Sequence, residues 1–117
     1  MKNMKKIIIA GLALCSLVYG QTGEEIAEKN GCFECHKMSS KNAAPAFLGT
    51  ARRNLRLDSE NAKEMMIKAI KKGSHGKYKN FTENQMPSFS KLSDEEINTL
   101  ADWILGSYKE YRENKRK

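Results

Sequence analysis

The chain has 117 residues, a length that suits one small domain. It carries 21 Lys and Arg against 14 Asp and Glu, which gives a formal net charge of +7 at pH 7. A modest, lysine-rich excess of this kind suits docking on acidic protein surfaces, so we expect no nucleic-acid partner.

The first predicted element is a secretory signal peptide over residues 1–20. Three lysines lie near its start, an almost unbroken apolar run follows over residues 7–18, and Val18-Tyr19-Gly20 forms the cleavage region. The apolar run is too short to span a bilayer, although an uncleaved N-terminal anchor is the alternative. Cleavage after Gly20 would place in the periplasm a mature chain of 97 residues with a net charge of +4 and no membrane span.

A short predicted helix over residues 23–30, ended by Gly31, leads into the motif Cys32-Phe33-Glu34-Cys35-His36. Residues three apart on a helical turn share one face, so both sulfurs can reach the two vinyl groups on one edge of a porphyrin. His36 can then present its imidazole to the iron. The motif therefore predicts one covalently bound haem c (heme c), attached through Cys32 and Cys35, with His36 as an axial ligand.

Two other uses of paired cysteines compete with this interpretation. A zinc site needs further ligands, but no cysteine follows the motif and the only other histidine is His75. A thioredoxin-like dithiol needs a strand-rich βαβ context, which the sequence lacks. Haem attachment is therefore the favoured hypothesis.

Two helices are predicted in the middle of the chain. A short one over residues 46–55 follows Pro45, which fixes an extended turn. A clearer one over residues 60–72 can be capped by Asp58 or Ser59 and is ended by Gly73. Its apolar stripe consists of Ala62, Met65, Met66, Ala69 and Ile70.

A long loop without a regular period is predicted over residues 73–92. The capping box Ser93-Asp94-Glu95-Glu96 then begins a last helix, which carries Trp103. Residues 109–117 form a basic C-terminal tail that we expect to be frayed and solvated. The fold class is therefore all-α, with three to five helices wrapped around the haem in a domain over residues 21–108, and with no convincing strand.

The second axial ligand decides what the iron can do, and the sequence offers several candidates. We favour Met86, because it lies on the irregular loop that must fold over the haem and Pro87 rigidifies that loop. A thioether raises the reduction potential relative to a second imidazole. The weaker candidates are Met38, Met65, Met66 and His75.

The sequence resembles the small bacterial class I cytochromes c over most of residues 23–106, most clearly in residues 31–47 and 71–105. Cys32, Cys35, His36 and Met86 match the haem-binding positions of that family. The resemblance implies that the Pro45 carbonyl accepts a hydrogen bond from His36 and that the helix with Trp103 crosses the first helix near Gly23 and Ala27. It also places Phe81 near a haem propionate. One departure is that a single proline follows Met86, where many relatives have two.

The function expected from these features is single-electron transfer by a monomeric, monohaem periplasmic protein, between a respiratory donor complex and a terminal oxidase, peroxidase or reductase. It is not expected to be an enzyme. Its redox partners would dock transiently by electrostatic attraction, to a lysine ring of Lys37, Lys41, Lys77 and Lys79. The alternatives are a haem enzyme or gas or peroxide sensor with an open or weakly held sixth site, or a fixed subunit of a larger oxidase held by the basic tail.

Overall fold

The computed structural model describes residues 21–40, 44–75 and 85–117. Within them it contains four α-helices and one turn of 3₁₀ helix, which confirms the all-α class. The helices are α1 (Gly23–Lys29), α2 (Phe47–Leu57), α3 (Ala62–Lys72) and α4 (Asp94–Arg116), and the 3₁₀ turn is Cys32–Glu34. The predicted signal peptide, three of the four ring lysines (Lys41, Lys77 and Lys79) and Phe81 lie outside the described residues.

A short antiparallel pair of strands was not predicted. The strands β1 (Ser74–His75) and β2 (Gln85–Met86) lie within the segment over residues 73–92, for which the sequence predicts only a loop. Ser74 lies opposite Met86, and His75 lies opposite Gln85. Each strand has only two residues, so no alternation of side chains exists that could have revealed it.

The helices begin close to the predicted positions, and capping residues explain where α1 and α4 start. The predicted box at α4 is confirmed, since the Ser93 hydroxyl accepts from the Glu96 amide and the Glu96 carboxylate accepts from the Ser93 amide, both at 3.1 Å. These bonds lower the pKa of Glu96. The predicted cap of α3 is corrected: Asp58 instead accepts from the Asn61 amide at 3.3 Å, in the turn before the helix.

The expected frayed tail is also corrected, because α4 continues without a break to Arg116. Residues 109–117 are exposed, as predicted, but residues 109–116 are helical. No glycine or proline interrupts this stretch, and two aromatic–cation pairs span successive helical turns: Arg112 lies 5.8 Å from the Tyr108 ring and Lys115 lies 5.5 Å from the Tyr111 ring. Residues 109–117 therefore extend the last helix into solvent.

The helix α4 packs against α1, α2 and α3 and is the centre of the fold. The predicted crossing of α1 and α4 is confirmed, since a side chain added at Gly23 would overlap the Cβ of Trp103. Glycine therefore permits a close approach of the two helices at this point. The buried apolar core around the crossing comprises Ile26, Ala27, Phe47, Ala51, Met66, Ile70, Ile97, Leu100, Ala101 and Ile104. No helix in the described parts of the chain is long and apolar enough to cross a bilayer.

Candidate haem site

An apolar cleft of about 310 Å³ lies between the helices. Its walls come from the cysteine motif, α2, α3, the segment around β2 and the inner face of α4. The cleft contains all five residues that the sequence singles out for the site, which are Cys32, Cys35, His36, Pro45 and Met86. Other lining residues are mostly apolar, among them Phe47, Met66, Ala69, Ile70, Phe89, Leu92, Leu100 and Ile104.

The 3₁₀ turn holds the two cysteines on the same wall of the cleft. Gly31 begins the turn with a φ of 73°, a left-handed conformation that glycine adopts without strain. The Cys32 carbonyl then accepts from the Cys35 amide at 3.3 Å and from the His36 amide at 2.8 Å. Cys32 is half-buried and Cys35 is exposed. The turn therefore places two sulfurs and one imidazole in the lining of the same cleft.

The imidazole of His36 is fixed by two contacts. Its Nδ1–H donates to the Pro45 carbonyl at 2.6 Å, the hydrogen bond that the family resemblance implies. Its ring stacks on Phe47 with centroids 4.9 Å apart and planes at 24°. Because Nδ1 carries the proton, the lone pair is left on Nε2, the nitrogen available to a metal.

Backbone hydrogen bonds join the motif to the start of α2. The amides of Phe47 and Leu48 donate to the carbonyls of Lys37 and Met38 at 2.8 and 3.1 Å. These are first-turn amides with no partner inside the helix, and Ala46 at the N-cap has no side chain that could accept from them. The segment after His36 therefore caps α2 with its own main chain.

An aromatic cluster supports this wall from behind. Phe47 meets Phe33 edge-on, with centroids 5.6 Å apart, and it meets Trp103 edge-on at the same distance. Phe33 and Trp103 are also in edge contact at 6.0 Å. The sequence did not predict this cluster, because its three rings come from three separate elements.

Burial shifts the pKa of two groups in the site, Cys32 and His36. It is the main cause that raises the pKa of the Cys32 thiol, and the nearby Cys35 adds to the effect. Burial also lowers the pKa of His36, although the bond to Pro45 opposes this. A lowered pKa keeps the imidazole neutral, which is the form that binds a metal.

Met86 approaches the cleft from the opposite segment. It is half-buried and lies in β2, directly across from Ser74. Two hydrogen bonds tie the residues after it to the end of α3: the Ser88 hydroxyl donates to the Lys71 carbonyl at 2.7 Å, and the Phe89 amide donates to the Ile70 carbonyl at 3.0 Å. These contacts hold the segment that carries the sulfur along one wall of the cleft.

The other candidate ligands are placed differently. Met66 is 3% exposed and lines the cleft, so it is a second thioether in the cleft wall. Met65 lies instead in a shallow surface depression with Lys68 and Lys72. Met38 packs against the core from outside the cleft lining, and the backbone of His75 forms β1.

Two polar residues of α2 in the cleft wall were not identified from the sequence. Asn54 is 1% exposed, and its Nδ2 donates to the Thr50 carbonyl at 2.9 Å. Its Oδ1 and the Thr50 hydroxyl are buried and have no hydrogen-bond partner among the described residues. Asn54 occupies a core-facing position of the helix, and that spacing was its only signal in the sequence.

The residues present fit a covalently attached haem. The cleft is lined mainly by carbon, as the faces of a porphyrin require, and two thiols stand beside an imidazole whose Nε2 is unprotonated. A thioether is available from a different segment, at Met86 or Met66. A soft sulfur and an imidazole are both ligands of haem iron.

Comparison with known proteins agrees with this fit. A family model described as cytochrome c matches residues 20–107. Cytochrome c-552 of Nitrosomonas europaea is 33% identical over 96 residues, which cover 82% of this chain and 88% of the relative. The crystal structure of wild-type cytochrome c552 from that organism has a TM-score of 0.61 at 32% identity, covering 71% of this chain and 96% of its own.

A more distant solved structure shows a likeness in fold alone. The class 1 cytochrome MtoD from Sideroxydans lithotrophicus ES-1 is 23% identical, with a TM-score of 0.58 and coverage of 74% of this chain and 92% of its own. The residues matched by the family model include every element that forms the cleft. The match ends at residue 107, whereas α4 continues to Arg116.

Proposed function

The chain belongs to the cytochrome c family and carries one covalently attached haem c, and we propose that Cys32 and Cys35 hold it while His36 and Met86 ligate its iron. The observation that carries this assignment is the convergence of all four residues, from two distant segments, on one apolar cleft. The haem, when bound, supplies an iron that gains and loses a single electron.

The protein's own residues keep that site rigid and dry. The bond from His36 to Pro45 and the stacking on Phe47 fix the imidazole, so the ligand does not have to reorient when the iron changes charge. The mostly apolar walls of the cleft would exclude water from the bound haem. A fixed thioether on the other side would leave no position open for a substrate, which makes the protein an electron carrier and not an enzyme.

We place the carrier in the periplasm, where residues 1–20 would direct it before their removal, and we regard the mature form as a monomer without a membrane span. It would pass electrons between a respiratory donor complex and a terminal oxidase, peroxidase or reductase. Cys35 and Lys37 are both exposed beside the motif, so this edge of the cleft reaches the surface. A redox partner would dock at this edge.

Partner docking would be brief and guided by charge, through the lysine ring that the sequence predicts (Lys37, Lys41, Lys77 and Lys79), of which the structure describes Lys37, an exposed residue next to the motif. Association rates with an acidic partner should therefore fall as the salt concentration rises, because ions screen exposed charges. Stopped-flow rates that stay flat from low to moderate ionic strength would contradict this lysine ring.

The assignment is tested on protein purified from the periplasmic fraction. We expect a mass increased by one haem, a weak sulfur-to-iron band near the red end of the oxidised spectrum, and no binding of carbon monoxide to the reduced protein at neutral pH. High-spin iron that binds carbon monoxide readily would favour the sensor or peroxide enzyme. Protein without covalently bound haem would contradict the site.

A second candidate function follows from the exposed end of α4. Residues 109–117 lie beyond the family match and contain five basic and two acidic side chains. Such an extension could fix the cytochrome to a larger oxidase. Purification of the haem protein free of partners would contradict that candidate, and loss of co-purification with an oxidase after deletion of residues 109–117 would support it.

A further inference from the structure

Asn54 places a polar amide group in a mostly apolar wall. The side chain is 1% exposed and lines the haem cleft. Its Oδ1 accepts no hydrogen bond from the described residues. A buried carbonyl oxygen without a partner is unfavourable, so its presence beside a redox centre calls for an electrostatic explanation.

The orientation of the amide is set by its other atom. Nδ2 donates to the Thr50 carbonyl at 2.9 Å, and a flipped amide would bring two oxygens together at that position. The carbonyl end of the Asn54 dipole is therefore fixed as the unbonded end. The Thr50 hydroxyl is also unpaired, but it can rotate and so carries no fixed direction.

We propose that Asn54 is a positioning residue for redox potential: the fixed amide dipole, with its unpaired oxygen buried in the cleft wall, favours the oxidised iron and lowers the reduction potential. The oxidised iron carries one more positive charge than the reduced iron, and the negative end of a dipole stabilises it more. Because Oδ1 is shielded from solvent, water does not screen this interaction. This inference rests on the proposed electron-carrier function.

The test is a potentiometric titration of holoprotein carrying Asn54→Leu, a substitution of similar volume without the dipole. We expect the midpoint potential to rise above that of the wild type, while the sulfur-to-iron band stays in place. Asn54→Ala serves as a second variant if the leucine cannot be accommodated, and it should move the potential in the same direction.

Asn98→Leu is the matched control. Asn98 makes the same kind of bond, with its Nδ2 donating to the Asp94 carbonyl one turn earlier at 2.8 Å, but it is outside the cleft lining. The midpoint potential of the Asn98→Leu holoprotein should equal that of the wild type. A purely structural role for Asn54 would change the unfolding midpoint and leave the potential where it was.

A potential that stays unchanged or falls in both Asn54 variants would overturn the inference. The band at the red end of the spectrum is a separate readout. If the wild type lacks this band, the proposal that Met86 ligates the iron is contradicted, but the comparison of midpoint potentials still decides the role of Asn54. If the band is present and the potentials are equal, only the role of Asn54 is lost.

Discussion

The two sides of the cleft are built in different ways. On the histidine side, the residues that bond to each other are at most ten positions apart in the sequence: His36 bonds to Pro45, and backbone bonds join Lys37 and Met38 to the start of α2. On the methionine side, Met86 is held by contacts to the end of α3, a segment that precedes it by more than ten residues. One side is therefore specified locally and the other by tertiary contacts.

This difference has an energetic consequence. Local bonds close short loops, which costs little entropy, and the stacked and edge-on rings add packing to them. The methionine side must close a longer loop and relies on a few bonds near Gly73. We therefore expect the methionine side to open first when the protein is perturbed.

The largest expected effect comes from Gly73→Ala. Gly73 has φ 79° and ψ 177°, a region essentially restricted to glycine, and a Cβ there would lie 2.5 Å from the Met86 carbonyl oxygen. We expect a loss of about 2–4 kcal/mol in the free energy of unfolding. Denaturant titration measures this, and the sulfur-to-iron band should weaken while the haem stays covalently attached.

Gly49→Ala is the control for that substitution. Gly49 lies in α2, and no atom would be within 4 Å of an added Cβ. Alanine should stabilise the protein there by about 0.5–1 kcal/mol, because glycine is a poor helix former. Equal losses in the two variants would mean that the methionine side has no special dependence on Gly73.

A smaller effect is expected from Ser88→Ala, which removes the bond to the Lys71 carbonyl. The loss should be about 1 kcal/mol, typical of one hydrogen bond. Added imidazole should also displace the sulfur at lower concentration than in the wild type, as followed by the visible spectrum. Ser107→Ala removes a bond of the same length to the Trp103 carbonyl, and it should leave imidazole binding unchanged.

The smallest effect concerns pH. Lys71 bonds to Asp94 at 2.8 Å and lowers its pKa, chiefly by that hydrogen bond and then by its charge. A carboxyl whose pKa is lowered on folding adds stability above its usual pKa, and that stability is lost as the pH falls through the folded value. In Lys71→Met, the free energy of unfolding should therefore fall less than in the wild type as the pH is lowered through this range, as measured by denaturant titration at a series of pH values.

Lys68→Met, on the exposed face of the same helix, is the comparison for the pH experiment. Its unfolding free energy should keep the wild-type dependence on acid. The free energy of unfolding of Lys71→Met could instead match that of the wild type at every pH between the pKa of Asp94 in the folded protein and its pKa in the unfolded chain. That result would show that the contact between Lys71 and Asp94 does not stabilise the fold.

The histidine side could be predicted from sequence in most of its detail. The motif is contiguous, so its geometry follows from one turn of helix, and the family resemblance supplied the bond to Pro45. The capping box at Ser93 was predictable for the same reason, since its two partners lie three residues apart.

The remaining features depend on contacts between distant segments. Two-residue strands leave no periodic pattern, and the rings of Phe33, Phe47 and Trp103 meet only once three elements have packed. The unpaired oxygen of Asn54 likewise exists only in the packed wall. The helical state of residues 109–116 was not predicted because a charged, exposed stretch has no hydrophobic stripe.

The most direct test of the account compares oxidised spectra of Met86→Ala and Met66→Ala, the two cleft methionines from opposite segments. We predict that Met86→Ala loses the sulfur-to-iron band, becomes high-spin and binds carbon monoxide when reduced, while Met66→Ala keeps the wild-type spectrum. A wild-type spectrum for Met86→Ala, together with loss of the band in Met66→Ala, would contradict the proposed ligand pair.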